Sequence, residues 1–143
     1  VLEFWLTEDM VRRSLTHPRQ MVLSDGVYRG RPHPRAGGTF PRVLGRYVRE
    51  LGLLTWEDAV RRMSGWPAQR FGLKQRGQVR VGWAADVTLF DPARVDGPAT
   101  FAEPTLPPIG IPYVLVNGEF VVDEGNRTPA TPGRVLKPHL GEE

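Results

Sequence analysis

The dipeptide Asn117-Gly118 constrains this chain more than any other feature. It sits in "VLVNGEFVV", with Val114, Leu115 and Val116 before it and Phe120, Val121 and Val122 after it. Asn and Gly tolerate the positive φ that a two-residue type I′ turn requires, and the twist of that turn matches two paired strands. An antiparallel hairpin is predicted here, and a hairpin needs further strands or a helix to persist in water. The stretch "GQVRVGWAADVTLFDP" offers such partners as short, partly alternating apolar runs around glycine. Residues 92–112, rich in Pro and Gly, are expected to form a long ordered connection, and residues 125–143 an irregular arm over the surface.

Before about Gly72 the pattern is different. Val1 to Leu6 reads as a short strand, and Thr7 offers an N-cap hydroxyl ahead of Glu8 and Asp9. Met10, Val11 and Leu15 then mark one helix face, which must stop near His17-Pro18. Gln20 to Ser24 reads as a second strand closed by Asp25-Gly26, so strand, helix and strand make a compact βαβ unit with parallel strands. A second helix is predicted with Thr39 as cap, Pro41 in its first turn, and Val43, Leu44, Tyr47, Val48 and Leu51 facing the core, ended by Gly52. "TWED" at Thr55 resembles a capping box and starts a third helix with Ala59, Val60 and Met63 inward. "PAQRFGL", from Pro67, is a further turn closed by Gly72. A lone pair of parallel strands leaves sheet faces and edges uncovered, so the first half reads as the end of a larger α/β barrel or sheet.

Composition narrows the function classes. With 143 residues, 40% hydrophobic and 24% charged, the chain suits one ordinary globular domain. No apolar run approaches a membrane span, so no membrane partner is expected. The net charge is only +3 and the arginines are interspersed with acids, which argues against a nucleic-acid face. The lack of cysteine removes thiol chemistry and suits a reducing, cytoplasmic setting. The chain opens on Val1 inside an apolar stretch, which reads as a cut in a longer polypeptide.

Asp25 is the first candidate for chemistry. It ends a predicted parallel strand, the edge where α/β folds place catalytic groups, so it either binds or moves protons at a site or caps the following loop through its own backbone. In that loop, "HPR" could present His33 and Arg35 to an anion, although a solvated, proline-stiffened loop is the simpler reading of these residues. His17 reads as a structural residue at a helix end, and His139 as a solvated tail residue. The three histidines show no metal-ligand spacing. Gly37-Gly38 lacks the Lys-Ser/Thr of a phosphate loop, and the tryptophans at 5, 56, 66 and 83 read as core or interface residues. No complete catalytic constellation is visible.

The motifs as a set carry a resemblance. "GLLTWEDAVRRMSGWPAQRFGL", "RGQVRVGWAADVTLFDP" and "VLVNGEFVV" are similar to the C-terminal signature of the amidohydrolase superfamily, and "SDG" with "HPR…GTFPRVLGRYVRE" resembles its D-aminoacylases, the N-acyl-D-amino-acid deacylases. The resemblance implies that residues 1–72 are the last βα units of a metal-dependent (β/α)8 barrel, and residues 73–143 strands of a small β-sandwich with a C-terminal arm. It implies hydrolysis of the amide of N-acyl-D-amino acids with zinc as cofactor. Asp25 would then end the eighth barrel strand beside zinc, as proton carrier and at most a weak or secondary metal ligand. Arg35 would hold the substrate carboxylate, with Ser24 and His33 as neighbours. The family's H-x-H pair, bridging Cys and two further His ligands have no counterpart here, so the isolated chain is expected to be inactive and to need the N-terminal part of the barrel. Exposed apolar surface would also favour homo-oligomers. Two alternatives stand beside this reading: a cyclic-amide hydrolase of the hydantoinase or dihydroorotase kind, and a non-catalytic split or truncated homologue acting as a structural or partner-binding piece.

Overall fold

Threonine hydroxyls start two of the helices in this computed structural model, which describes residues 6–137. Helix α1 (Glu8–Thr16) begins with Thr7 Oγ1 accepting from the Met10 amide, and it ends before His17-Pro18 as expected. Helix α3 (Trp56–Met63) begins with Thr55 Oγ1 accepting from the Asp58 amide, 3.2 Å away. Helix α4 (Gly65–Arg70) follows at once, and Gly72, at φ 63°, closes it as its position suggests. The expected strand from Val1 falls almost wholly outside the described residues, as do Trp5 and His139.

The second helix differs from expectation at its start. Helix α2 (Arg35–Arg42) includes Gly37 and Gly38, and Thr39 lies inside it, its hydroxyl donating back to the Arg35 carbonyl at 2.8 Å rather than capping an N-terminus. The tight approach here is made by the opposite stretch of chain: a Cβ on Gly97 would collide with the Gly38 carbonyl, whereas one on Gly38 would make ordinary contact, 3.5 Å from the Ala99 side chain. Pro41 has no N–H to return to the preceding turn. Directly after it the helix widens into a π-helical segment (Val43–Glu50), where the Leu51 amide reaches back five residues to the Arg46 carbonyl at 2.9 Å. Gly52, at φ 59°, ends it.

This segment forms the centre of the core. Val43, Leu44, Tyr47 and Val48 pack with Leu15, Leu54, Ala59 and the fully buried Val95. Arg49 Nη1 donates to the Val95 carbonyl at 2.6 Å, tying the helical half to the connection at residues 92–112. In α3 the inward face carries Ala59 and Arg62, whereas Val60, expected inside, is largely exposed. The Arg62 side chain is only 5% exposed. It donates to Asp58 Oδ2 at 2.7 Å and, through Nη1, to the carbonyls of His17 (2.7 Å) and Gln20 (2.8 Å).

The second half forms an antiparallel sheet in the order β1 (Val87–Leu89), β2 (Tyr113–Val116), β3 (Glu119–Asp123), β4 (Asn126–Arg127). Asn117 and Gly118 both have positive φ, 49° and 86°, and join β2 to β3 as the predicted turn. Val79 and Val81 belong to no strand and are almost fully exposed, so "GQVRV" does not join the sheet. The reason is the next motif. Asp86 accepts from the Asn117 amide at 2.8 Å and pairs with Arg76, whose Nη2 donates to Asn117 Oδ1 at 2.6 Å, so this stretch wraps the hairpin tip instead. Asn117 Nδ2 donates to the Pro132 carbonyl at 2.7 Å and fastens the C-terminal arm to the same tip. Of the predicted core aromatics, Trp56 stacks on Phe90, while Trp66 and Trp83 carry the guanidinium groups of Arg61 and Arg80.

Two carboxylates make stability depend on acid. Burial pushes Glu8 and Asp58 upward, but hydrogen bonds and charge from Arg12 and Arg46, and from Arg62 and Arg61, outweigh it and hold both below their ordinary 4.5 and 3.8. Their contributions are complete above those values and vanish as pH falls through the lowered folded-state values. Denaturant titrations between pH 7 and 2 should therefore show a steep acid loss that is flatter in Glu8→Gln and Asp58→Asn. Gly97→Ala should cost about 1–3 kcal/mol by overpacking against Gly38, whereas Gly133→Ala, with nothing within 4 Å, should leave Tm unchanged in calorimetry.

Candidate functional site

The approach to Asp25 is an extended run without a ladder. The Val22 amide donates to the Arg62 carbonyl at 3.2 Å, and residues 20–24 pair with no strand among the described residues. The strand expected from Gln20 to Ser24 is therefore not formed, because an extended segment becomes a strand only beside another. Asp25 has φ 46°, a left-handed conformation that aspartate tolerates better than most residues, and it turns the chain back toward α2. Gly26 fits there because a Cβ would lie 3.0 Å from Ala36 Cα.

That turn delivers Asp25 to Arg35. Arg35 Nη2 lies 2.6 Å from Asp25 Oδ2, and Nε donates to the Asp25 carbonyl at 3.2 Å. The carboxylate remains 67% exposed and the guanidinium 47%. A pair this exposed adds little stability, about 0–1 kcal/mol, so an incoming anion competes for Arg35 at small cost. His33 Nδ1 accepts from the Arg35 amide at 3.0 Å, and its ring meets Phe101 edge-on with centroids 4.9 Å apart. Ser24 is half-buried next to Asp25 and makes no hydrogen bond with Asp25, His33 or Arg35 among the described residues. The structure thus brings Asp25, Arg35 and His33 together and leaves Ser24 beside them. His17 lies elsewhere, its Nδ1 accepting from the Arg19 amide.

Beside the pair, α2 and the turn at residues 97–101 enclose a cavity of about 380 Å³, lined by His33, Arg35, Thr39, Arg42, Ala99 and Phe101 among others. Arg31 straps the loop across it, Nη2 donating to the carbonyls of Phe101 (2.9 Å) and Ala102 (2.8 Å). Sequence reasoning missed Arg31, whose partners lie 70 and 71 residues away and have no local signature. It also missed Arg62, whose signal was its placement three residues after Ala59 and four after Asp58, on the inward face of α3. No group of three His, Cys, Asp or Glu side chains able to hold a metal exists among the described residues. Asp25 gives its carboxylate to Arg35 and has no companion ligand there.

Burial, then the charge of Arg35, hold His33 below its ordinary 6.5, with Asp25 opposing them. Only neutral imidazole can accept from the Arg35 amide through Nδ1. A lowered value means that this cap is intact above pH 6.5 and lost as pH falls through the folded-state value. Hydrogen exchange of the Arg35 amide, corrected for its intrinsic pH dependence, should thus lose protection between pH 7 and 5. His33→Asn, which keeps an acceptor without a titration, should abolish that pH dependence.

Comparison with known proteins places this arrangement. The amidohydrolase family profile matches residues 7–122. The D-aminoacylase of Alcaligenes xylosoxydans xylosoxydans is 49% identical over 134 residues, 93% of this chain and 28% of that protein. The N-acyl-D-glutamate deacylase of the same organism is 48% identical over 135 residues, 94% of this chain and 28% of that protein. A D-aminoacylase crystal structure superposes with a TM-score of 0.89 at 48% identity, over 92% of this chain and 28% of that one. The Bordetella bronchiseptica N-acyl-D-glutamate deacylase, complexed with zinc and a phosphonate mimic of the tetrahedral intermediate, gives 0.82 at 49% identity over the same shares. The chain spans 28% of the length of these relatives. The match over residues 7–122, together with these superpositions, means that this chain belongs to the amidohydrolase family.

Proposed function

We propose that this chain supplies one wall of the active site of a deacylase that hydrolyses the amide of N-acyl-D-amino acids. The observation that carries it is the exposed Asp25–Arg35 pair, whose arginine lines a cavity, within a chain nearly half identical to a D-aminoacylase and an N-acyl-D-glutamate deacylase. In this reading residues 1–72 end an α/β barrel and residues 73–143 contribute sandwich strands and an arm. The small antiparallel sheet fits the second part.

Arg35 grips the substrate's carboxylate. Its Nη1 has no partner among the described residues, and Nη2 and Nε exchange Asp25 for the incoming anion. Asp25 moves the protons. As water adds to the acyl carbon, a carboxylate oxygen of Asp25 takes one water proton, and it returns that proton to the amide nitrogen as the C–N bond breaks. The products are a carboxylic acid and a free D-amino acid. Ser24 and His33 shape the surroundings, His33 by capping the helix that carries Arg35. The zinc-bound relative suggests zinc as the cofactor, but the described residues do not by themselves fit a metal centre, so the steps above use only this chain's groups. The linear D-amides of the relatives favour this reading over a cyclic-amide hydrolase.

The test is release of free amine from N-acyl-D- and N-acyl-L-amino acids. The purified chain alone, with zinc, should release none. In a full-length protein carrying this segment, Asp25→Ala should lower kcat by about 10²–10⁴-fold, and Arg35→Ala should chiefly raise KM. Turnover within tenfold of wild type in Asp25→Ala would remove the proton-carrying role.

A further inference from the structure

We infer that Arg62, buried on the inward face of α3 and not lining the cavity beside Arg35, is the positioning residue that sets where the Asp25 carboxylate stands. The inference rests on the deacylase reading for its functional meaning, and on geometry for its substance. Three residues before Asp25, the Val22 amide is held by the carbonyl of Arg62 itself, 3.2 Å away. Two and five residues before Val22, the carbonyls of Gln20 and His17 both accept from the same Arg62 nitrogen, Nη1. Backbone and side chain of one residue thus grip the chain at three points within six residues. Beyond Val22 the described residues offer no ladder to hold the run, and the next fixed points are Gly26 against Ala36 and the Asp25–Arg35 pair. Asp25 is therefore suspended between two anchors, α3 through Arg62 and α2 through Arg35.

The geometry needs arginine. A planar guanidinium offers donors in fixed directions, so one group can meet the Asp58 carboxylate on one side and two carbonyls on another. A lysine has three donors on a flexible stem and cannot hold all three partners in these directions at once. Asp58 is in turn held by its own helix and by Arg61, 2.9 Å away, so the clamp is referenced to α3 rather than to the loop it holds. An arginine at an inward helical position is costly unless each donor direction is satisfied, and here the satisfied partners are the backbone leading to Asp25.

The test uses nuclear magnetic resonance on the purified chain and needs no turnover, so a failure of the deacylase reading leaves its outcome intact. The probes are the Arg35 Nε–Hε signal, which reports the contact with Asp25, and the backbone amides of residues 22–26. Asp58→Asn, which loosens the guanidinium without removing it, and Arg62→Lys should both shift these signals and speed exchange of the Arg35 Nε proton about tenfold or more. The amides of β2 and β3 should stay in place in both variants, which shows that the fold is retained. Arg62→Met should give the larger change with the same pattern. In a full-length protein carrying this segment, Asp58→Asn should lower kcat with KM unchanged. An Arg35 Nε–Hε signal that keeps its position and exchange rate in folded Asp58→Asn and Arg62→Lys would overturn the inference.

Discussion

A single buried guanidinium holds the helical half of this protein in register. Taking a charge out of water costs several kcal/mol unless partners replace the solvent, and Arg62 finds them in Asp58, His17 and Gln20. The consequence runs both ways. The α1 exit supplies two of the acceptors that let helix α3 bury Arg62, and Arg62 in turn fixes that exit at His17 and Gln20. Among the described residues no strand lies beside this segment, and the polar clamp does the work of the hydrogen-bond ladder that would ordinarily fix it.

The two halves meet through few but specific contacts. Val95 fills the core beside the π-helical segment, Arg49 binds the Val95 carbonyl, and Gly97 crosses Gly38 at a distance that no side chain tolerates. Between helices α2 and α3 and the sheet lies a second, larger groove of about 730 Å³, bordered by Phe40, Leu44, Met63, Ile111 and Val114 among others. Neither Asp25 nor Arg35 lines it, whereas Arg35 lines the smaller cavity. The glycine crossing sets the width of that smaller cavity, since α2 and the turn at residues 97–101 form its opposite walls.

Local signals in the sequence were sufficient wherever a residue's role is settled by its own neighbours. Thr7 and Thr55 cap helices, Gly52 and Gly72 end them, and Asn117-Gly118 makes its turn, because each depends on φ or on a donor within four residues. Expectation failed where a distant segment decides. Gly37-Gly38 lie ahead of the expected Thr39 cap, yet the helix runs through them from Arg35. Gln20 to Ser24 is a short run closed by Asp25-Gly26, as a strand would be, and has no strand to pair with among the described residues. "GQVRV" has strand-like residues, yet Arg76 and Asp86 draw the stretch around the hairpin tip. At the candidate site, local chemistry singled out Asp25, His33 and Arg35 within eleven residues but left loop cap and solvated loop open for them, and the roles proposed for them come from the family resemblance. Arg62 was not singled out, because an arginine on an inward face looks like a surface residue until its carbonyl partners, 42 and 45 residues away, are known.

The Asn117 side chain gives the hairpin tip a chemical clock. Asparagine followed by glycine is the pairing most open to loss of its amide, since glycine leaves the next backbone nitrogen unhindered for attack on the side-chain carbonyl. Conversion to a carboxylate would delete the donor that holds the Pro132 carbonyl and set a second negative oxygen beside Asp86. Arg76, already bonded to Asn117 Oδ1, would then face a charged partner, while the arm lost the Asn117 tether. Loss of the Asn117 amide would thus act at the sheet's tightest bend and loosen the arm there, and the Gly118 amide's own bond to the Ala85 carbonyl, 3.0 Å away, is what restrains the attack.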